Sequence, residues 1–351
     1  MVEHGYQVDL VAQQDAENDF LDGIHFYQVG EYEPSFTIRP LERLWRVRRA
    51  FEIALRSEAD IFQFYSPEFI SYALALRKQT GKPVIFDCME DFEGYVQQRP
   101  GIPGWLRPLV LRYTRRQLQR AALGLDAIVT ADQGTADYFR PWARRMLALY
   151  NLPVLSAFPD VPEENAPLYD LVFHGGLGRH YFEAILKIDE ALQARGRHVT
   201  WYLFGIMPER AWILAEVEKR HAEERFRIGE LVPHDQVMAE VRKARIGIIP
   251  LPNLPKYYNN IPQKLFEYMA LRMPVVLSDL PPSRPFVGDG ACALMVGADD
   301  PGAFAEAIVH LLDDPNLCRR MGAEGRARIE REYHWEKESL KLIELYEELL
   351  N

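Results

Sequence analysis

The sequence predicts an α/β fold built from two doubly wound domains, each a parallel sheet covered by helices. Three observations predict it. Short apolar runs alternate with stretches of helical periodicity along most of the chain. At 351 residues the chain exceeds one typical hydrophobic core, so two domains are expected. Residues 152–168 carry Pro153, Pro159, Pro162 and Pro167 among few helix formers, which is linker composition.

The totals exclude several classes. Hydrophobic residues make up 48% and charged residues 26%, as in a water-soluble globular protein. No apolar run approaches the roughly 18 residues that would span a bilayer, and no signal peptide opens the sequence, so a cytoplasmic location is expected. Cys88, Cys292 and Cys318 are widely spaced and offer neither a disulfide framework nor a metal-ligand pair. A net charge of −10 argues against a general nucleic-acid binder.

Taken in order, residues 1–5 read as the end of a helix with Gly5 as its C-cap, and residues 6–12 as a strand. Residues 13–38 look irregular apart from a short strand over 24–29. A helix over 39–57 follows, with Leu41, Leu44, Trp45, Phe51 and Leu55 as its apolar stripe. Its other face carries Arg43, Arg46, Arg48, Arg49 and Arg56. A strand over 60–64 precedes a helix over 67–79 capped by Ser66, and residues 84–86 form the next strand. Directly after it stand Asp87, Glu90 and Asp91. Ligands of doubly wound sheets bind beyond the carboxyl ends of strands, which makes these acids candidate site residues. A solvated acidic turn is the alternative.

Residues 102–124 place Trp105 ahead of Arg107, Arg112, Arg115, Arg116 and Arg120, with no acid between 107 and 120. A basic amphipathic helix of this kind suits an anionic membrane surface; pairing with acids elsewhere in an acidic protein is the alternative. A strand over 126–130, a helix from 132 and a strand over 147–151 close the first sheet.

The second half opens with a strand over 169–174, a loop holding Gly175, Gly176 and Gly178, and a helix from about 182 to 195. Strand–glycine–helix is a common phosphate cradle, because glycines let the backbone approach an anion. Alone the motif is weak. It is not Gly-x-Gly-x-x-Gly, and its place in the second half disfavours a dinucleotide dehydrogenase. Strands over 200–205, 226–229, 244–250 and 293–296 follow, with closing helices over 301–312, 315–332 and 336–350.

Residues 259–279 are the most informative stretch. Pro262 suits a first helical turn, and Leu265, Phe266, Met269 and Ala270 repeat at helical spacing before a buried strand at Pro274-Val275-Val276-Leu277. Lys264 and Glu267 lie on one side of that helix. They offer a cation for phosphate and an acceptor for sugar or ribose hydroxyls; a solvated ion pair is the alternative.

The run Pro262-Gln263-Lys264-Leu265-Phe266-Glu267-Tyr268-Met269-Ala270, followed by Pro274-Val275-Val276, resembles the donor-binding segment of the retaining glycosyltransferases of the GT-B fold, family 4. The resemblance covers nearly the whole chain from Gly5 and is densest after residue 169. It implies two Rossmann-like domains facing across a cleft: an acceptor-side domain over 1–155, a nucleotide-sugar domain over 156–335, and a helix over 336–351 returning to the first domain. Relatives carry a strand and a glycine loop ahead of the helix that ends at Gly5, and this first βα unit has no counterpart in the sequence.

The resemblance also implies site roles. Glu267 would bind the donor ribose, while Asn259, Asn260, Ile261 and Pro262 would line the sugar. Asn259 stands where relatives place a glutamate. Gly175, Gly176 and Gly178 would hold the pyrophosphate, with Arg179 as the nearby cation, and Leu231 would lie by the base. Asp87, Glu90 and Asp91 would face the acceptor. Met89 stands where relatives have a histidine, and a thioether cannot carry a proton usefully.

The leading reading is therefore a hexosyltransferase that moves a sugar from a nucleoside diphosphate donor to a sugar or lipid-linked acceptor in cell-surface polysaccharide or glycolipid synthesis. No acidic metal motif is present, so no metal and no cofactor are expected; Arg179 and Lys264 would neutralise the leaving pyrophosphate. Residues 107–120 would bring the protein to the inner membrane face. Two other readings remain open: a non-catalytic nucleotide-sugar-binding partner subunit, and a nucleotide-sugar epimerase on the same fold.

Overall fold

The computed structural model describes residues 1–14, 23–31, 40–98, 101–159 and 167–351. The chain forms two compact units. Unit 1 comprises Met1–Tyr150 with Ser339–Asn351, and unit 2 comprises Asn151–Glu338.

In unit 1, β1 (Val8–Gln14) and β2 (Ile24–Glu31) run parallel, with Val8 opposite Ile24. Then come α1 (Pro40–Arg56), β3 (Phe62–Phe64), α2 (Ile70–Thr80) and β4 (Val84–Cys88). They are followed by α3 (Phe92–Gln98), α4 (Arg107–Gly124), β5 (Ala127–Thr130), α5 (Gln133–Phe139) and β6 (Met146–Ala148). Strands β3 to β6 form a parallel sheet in sequence order. Among the described residues β1 and β2 pair only with each other, so unit 1 holds two sheets where the sequence predicts one.

Strand β4 is apolar on both faces because both faces are covered. Val84 and Phe86 point into a core with Ile70, Ala73, Leu118, Ala121 and Phe139. Ile85 points the other way, into a cluster with Ala127, Val129, Leu342 and Leu345. Asp126 ties this sheet to α2. It accepts two hydrogen bonds from Arg77, at 2.7 and 2.8 Å, and one from the Val84 N–H at 3.0 Å.

In unit 2, β7 (Tyr169–His174), α6 (Arg179–Gln193), β8 (Trp201–Phe204), α7 (Arg210–Lys219) and β9 (Phe226–Ile228) build one half of a sheet. The other half is α8 (His234–Val241), β10 (Ala244–Ile249), α9 (Gln263–Ala270), β11 (Val275–Ser278), α10 (Arg284–Val287) and β12 (Ala293–Val296). Helices α11 (Pro301–Asp313), α12 (Pro315–Arg331) and α13 (Trp335–Leu350) complete the chain, and α13 passes to unit 1 from Ser339. The six strands are parallel, in the order β12-β11-β10-β7-β8-β9. The winding reverses between β10 and β7. That is where doubly wound sheets leave a crevice beyond the strand ends.

Two sequence expectations change here. Residues 152–159 pack onto unit 2 and are no free linker. Phe158 is buried and its carbonyl accepts from Arg326 at 2.6 Å, while the Pro159 carbonyl accepts from Arg242 at 2.7 Å. Prolines suit this anchored path, which turns through a short 3-10 helix at Leu155–Ala157, as well as they suit a hinge; Pro162 lies outside the described residues. Helix α6 begins at Arg179, ahead of the predicted 182, because Gly178 in extended conformation is its N-cap.

Candidate donor site

Helix α9 starts after Pro262, which sits at the N-cap rather than inside the first turn. Its apolar face, Leu265, Phe266, Met269 and Ala270, is buried as the spacing predicts. Tyr268 is buried as well. Helix α12 presses α9 into place through small residues. A side chain at Gly322 would collide with the Arg272 carbonyl, and one at Gly325 would crowd Met269. Arg326 donates to the Ala270 carbonyl at 2.9 Å and so binds the last turn of α9.

Lys264 and Glu267 do not pair with each other in solvent; both turn to the end of β7. The Lys264 ammonium lies 4.8 Å from the centre of the Phe173 ring. It also lies beside Gly175, where an added Cβ would stand 3.3 Å from Nζ. Gly175 has φ 96°, a left-handed conformation that glycine adopts at little cost. Burial pulls the Lys264 pKa below the ordinary lysine value, and the Glu267 carboxylate offsets part of that.

Glu267 Oε2 lies 2.8 Å from His174 Nε2, and His174 Nδ1 lies 3.1 Å from the Tyr268 hydroxyl. The His174 ring is buried and stacks on Phe204. Tyr268 is closed off from solvent, and burial pushes its pKa up with help from the neighbouring Glu267. The sequence reading missed His174 and Tyr268. The available signal was a polar residue ending an apolar strand immediately before Gly175.

The other candidates stand as follows. Gly176 borders open space, and Gly178 caps α6. Arg179 is engaged locally: its guanidinium lies 4.3 Å over the Trp212 ring and 3.4 Å from Glu209, and its N–H donates to Glu209 at 3.1 Å. The structure thus groups Lys264, Glu267 and Gly175 and gives Arg179 partners of its own. Leu231 is exposed beyond β9, where Arg210 holds the preceding turn through the Gly229 carbonyl and Glu230. Asn259, Ile261 and Pro262 are half-buried ahead of α9, and Asn260 is exposed.

In unit 1 the three acids after β4 have different environments. Asp87 accepts from Gln63 at 2.8 Å; burial raises its pKa and that hydrogen bond offsets part of the rise. Glu90 and Met89 are exposed. Asp91 accepts the Gly94 N–H at 2.9 Å and so caps the first turn of α3. On α4, Arg115 pairs with Glu93 of α3, so the acids missing from 107–120 are supplied in part from elsewhere. Among the described residues no helix is long and apolar enough to cross a membrane. Among the same residues no group of acids, histidines and cysteines is arranged to hold a metal.

Parallel sheets in both units, with Lys264 beside the glycine turn and Glu267 on His174 at the reversal point of the second, define a doubly wound α/β protein of two-domain type. Comparison with known proteins carries this further. Residues 1–151 match the family model described as glycosyl transferase 4-like domain, and residues 169–314 match glycosyl transferases group 1. Sucrose-phosphate synthase from Thermosynechococcus elongatus superposes with a TM-score of 0.77 at 20% identity, over 99% of this chain and 90% of that one. Anabaena HepE in complex with UDP superposes with a TM-score of 0.67 at 12% identity, over 98% of this chain and 100% of that one. Both of its domains thus match glycosyltransferase family models, and the fold is GT-B.

Among curated relatives, phosphatidyl-myo-inositol mannosyltransferase of Mycobacterium leprae is 39% identical over 83 residues, 24% of this chain and 22% of that protein. Alpha-D-kanosaminyltransferase of Streptomyces kanamyceticus is 25% identical over 142 residues, 40% of this chain and 34% of that protein. These matches span about a third or less of each relative's length.

Proposed function

We propose that the protein transfers a sugar, with retention, from a nucleoside diphosphate donor to a hydroxyl of a sugar or lipid-linked acceptor. One observation carries the reading: Lys264 and Glu267, from one helix, converge on the glycine turn after β7 at the reversal point of the sheet. The ammonium takes the pyrophosphate lying over Gly175 and Gly176, and Glu267 takes the ribose hydroxyls. Among the described residues no hydrogen bond from the protein reaches Glu267 Oε1, which leaves that oxygen for the ligand. Residues 259–262 line the sugar, and Leu231 lies by the base. Arg179 contributes a second positive charge once it leaves Glu209.

In this reading the acceptor oxygen attacks the face from which the pyrophosphate departs, and the leaving phosphate takes the acceptor proton. Catalysis rests on positioning and on charge stabilisation by Lys264 rather than on a side-chain base. Asp87 and Glu90 of unit 1 are the acceptor-side candidates. Asp91 is better explained as a cap. Cell-surface polysaccharide or glycolipid synthesis would suit such an acceptor, with α4 at the inner membrane face.

Glu267→Ala tests the donor assignment. A hydrogen bond to a charged acceptor contributes about 1.5–3 kcal/mol, so calorimetric affinity for the nucleotide should fall by about ten- to a hundredfold. Unchanged affinity in a folded variant removes the assignment. Met89, standing where the family resemblance places a histidine, favours a second reading: a partner subunit that binds the donor without turnover. Acceptor-dependent release of free nucleoside diphosphate separates the two.

A further inference from the structure

We propose that His174 is a positioning residue for donor binding: it fixes the Glu267 carboxylate so that one oxygen is held and the other is presented to the ribose. The proposal rests on the ribose role given to Glu267 above. A carboxylate only accepts hydrogen bonds, so the 2.8 Å contact makes His174 Nε2 the donor to Glu267 Oε2. The other ring nitrogen, Nδ1, lies 3.1 Å from the Tyr268 hydroxyl. Tyr268 is closed off from solvent, and its hydroxyl donates to the Val172 carbonyl at 3.4 Å. The hydrogen-bond chain therefore runs from the sheet core through His174 to a carboxylate at the surface of the site.

The covalent arrangement adds a second consequence. His174 is the residue before Gly175, so one strand end carries both the phosphate turn and the group that orients the ribose acceptor. The spacing between the two subsites is then set by two adjacent residues, the last of β7 and the first of its loop, rather than by the pose of α9 alone. Without the Nε2 donor, Glu267 is free to rotate toward Lys264, and an orientation that suits the ribose is lost.

Two substitutions divide the histidine's functions. His174→Gln places an amide nitrogen near Nε2 and keeps the donor to Glu267. His174→Asn places its amide near Nδ1 and keeps only the Tyr268 side. The probe is UDP or GDP, whichever binds more tightly, and its 2′,3′-dideoxy analogue, which lacks the ribose hydroxyls. Affinity is measured by calorimetry and folding by circular dichroism. For the ribonucleotide, Gln should stay within about threefold of the parent, while Asn should lose about tenfold. For the dideoxy analogue both variants should match the parent.

An equal loss for both nucleotides in His174→Asn, or a Gln variant no better than Asn, overturns the proposal. Glu267→Ala serves as the reference. If it keeps full ribonucleotide affinity, the ribose role of Glu267 has failed. If it loses that affinity while His174→Asn keeps it, only the role of His174 has failed.

Discussion

Gly247 sets the position of Tyr268, and replacing it with alanine tests whether the core beneath the donor site is as tight as the geometry requires. Gly247 lies in the middle of β10, between Val172 of β7 and Val275 of β11, and its N–H is bonded to the Pro274 carbonyl at 3.0 Å. The strand cannot easily retreat. A Cβ added there would come within 2.6 Å of three Tyr268 ring atoms. The ring must move by about 1 Å to restore ordinary contact, yet it is fully buried. Overpacking of this kind costs about 1–3 kcal/mol, and straining the hydroxyl's bond to His174 adds about 1 kcal/mol. Gly247→Ala should therefore lose roughly 2–4 kcal/mol by urea denaturation. Ribonucleotide affinity should fall too, since Tyr268 supports His174. In a Tyr268→Leu background the same substitution should cost less than about 1 kcal/mol, because neighbours in contact couple. An undiminished midpoint for the single variant, or equal costs in the two backgrounds, would refute the argument.

Two further outcomes are expected. Burial draws the Asp126 pKa up, but Arg77 and the Val84 N–H outweigh it, so the folded value lies below the ordinary one. Its contribution is then fully present above about pH 4 and lost as pH falls through the folded pKa. Asp126→Asn should cost about 1–2 kcal/mol near neutrality, discounted because Arg77 is a third exposed, and denaturation midpoints of parent and variant should converge toward pH 2. On α4, Leu109 and Tyr113 are exposed with Arg112, Arg116 and Arg120 exposed beside them, and Trp105 is exposed in the turn just ahead of the helix. Replacing those three arginines with glutamine should weaken sedimentation with anionic vesicles by about 1 kcal/mol per residue, and unchanged sedimentation would remove the membrane role.

The parts legible in the sequence were those written in local spacing. The buried face of α9 follows from Leu265, Phe266, Met269 and Ala270, and Lys264 and Glu267 share a side because they are three apart. What they face was not legible, because β7 lies some ninety residues earlier and only the sheet order brings it beside α9. The same limit hid the partners of Arg179. Glu209 is the N-cap residue of α7 and Trp212 lies in its first turn, and nothing near Arg179 in sequence announces them. Gly247 read simply as part of a buried strand; its lack of a side chain makes sense only once the Tyr268 ring is over it. The two-sheet division of unit 1 was also beyond local pattern, since apolar runs indicate strands without indicating which edges pair.

The cluster of Leu342 and Leu345 with Ile85, Ala127 and Val129 has a consequence for synthesis. Two faces of one sheet are completed at different times. Phe86 and its helices can pack as soon as the first half has emerged from the ribosome. The face bearing Ile85 and Val129 waits for residues translated roughly two hundred positions later. Until then it is an open apolar surface on a nascent chain, a binding site for chaperones that vanishes when α13 docks. A fragment ending at Tyr150 would lack Leu342 and Leu345 and keep that surface open, because unit 1 is assembled from both ends of the sequence.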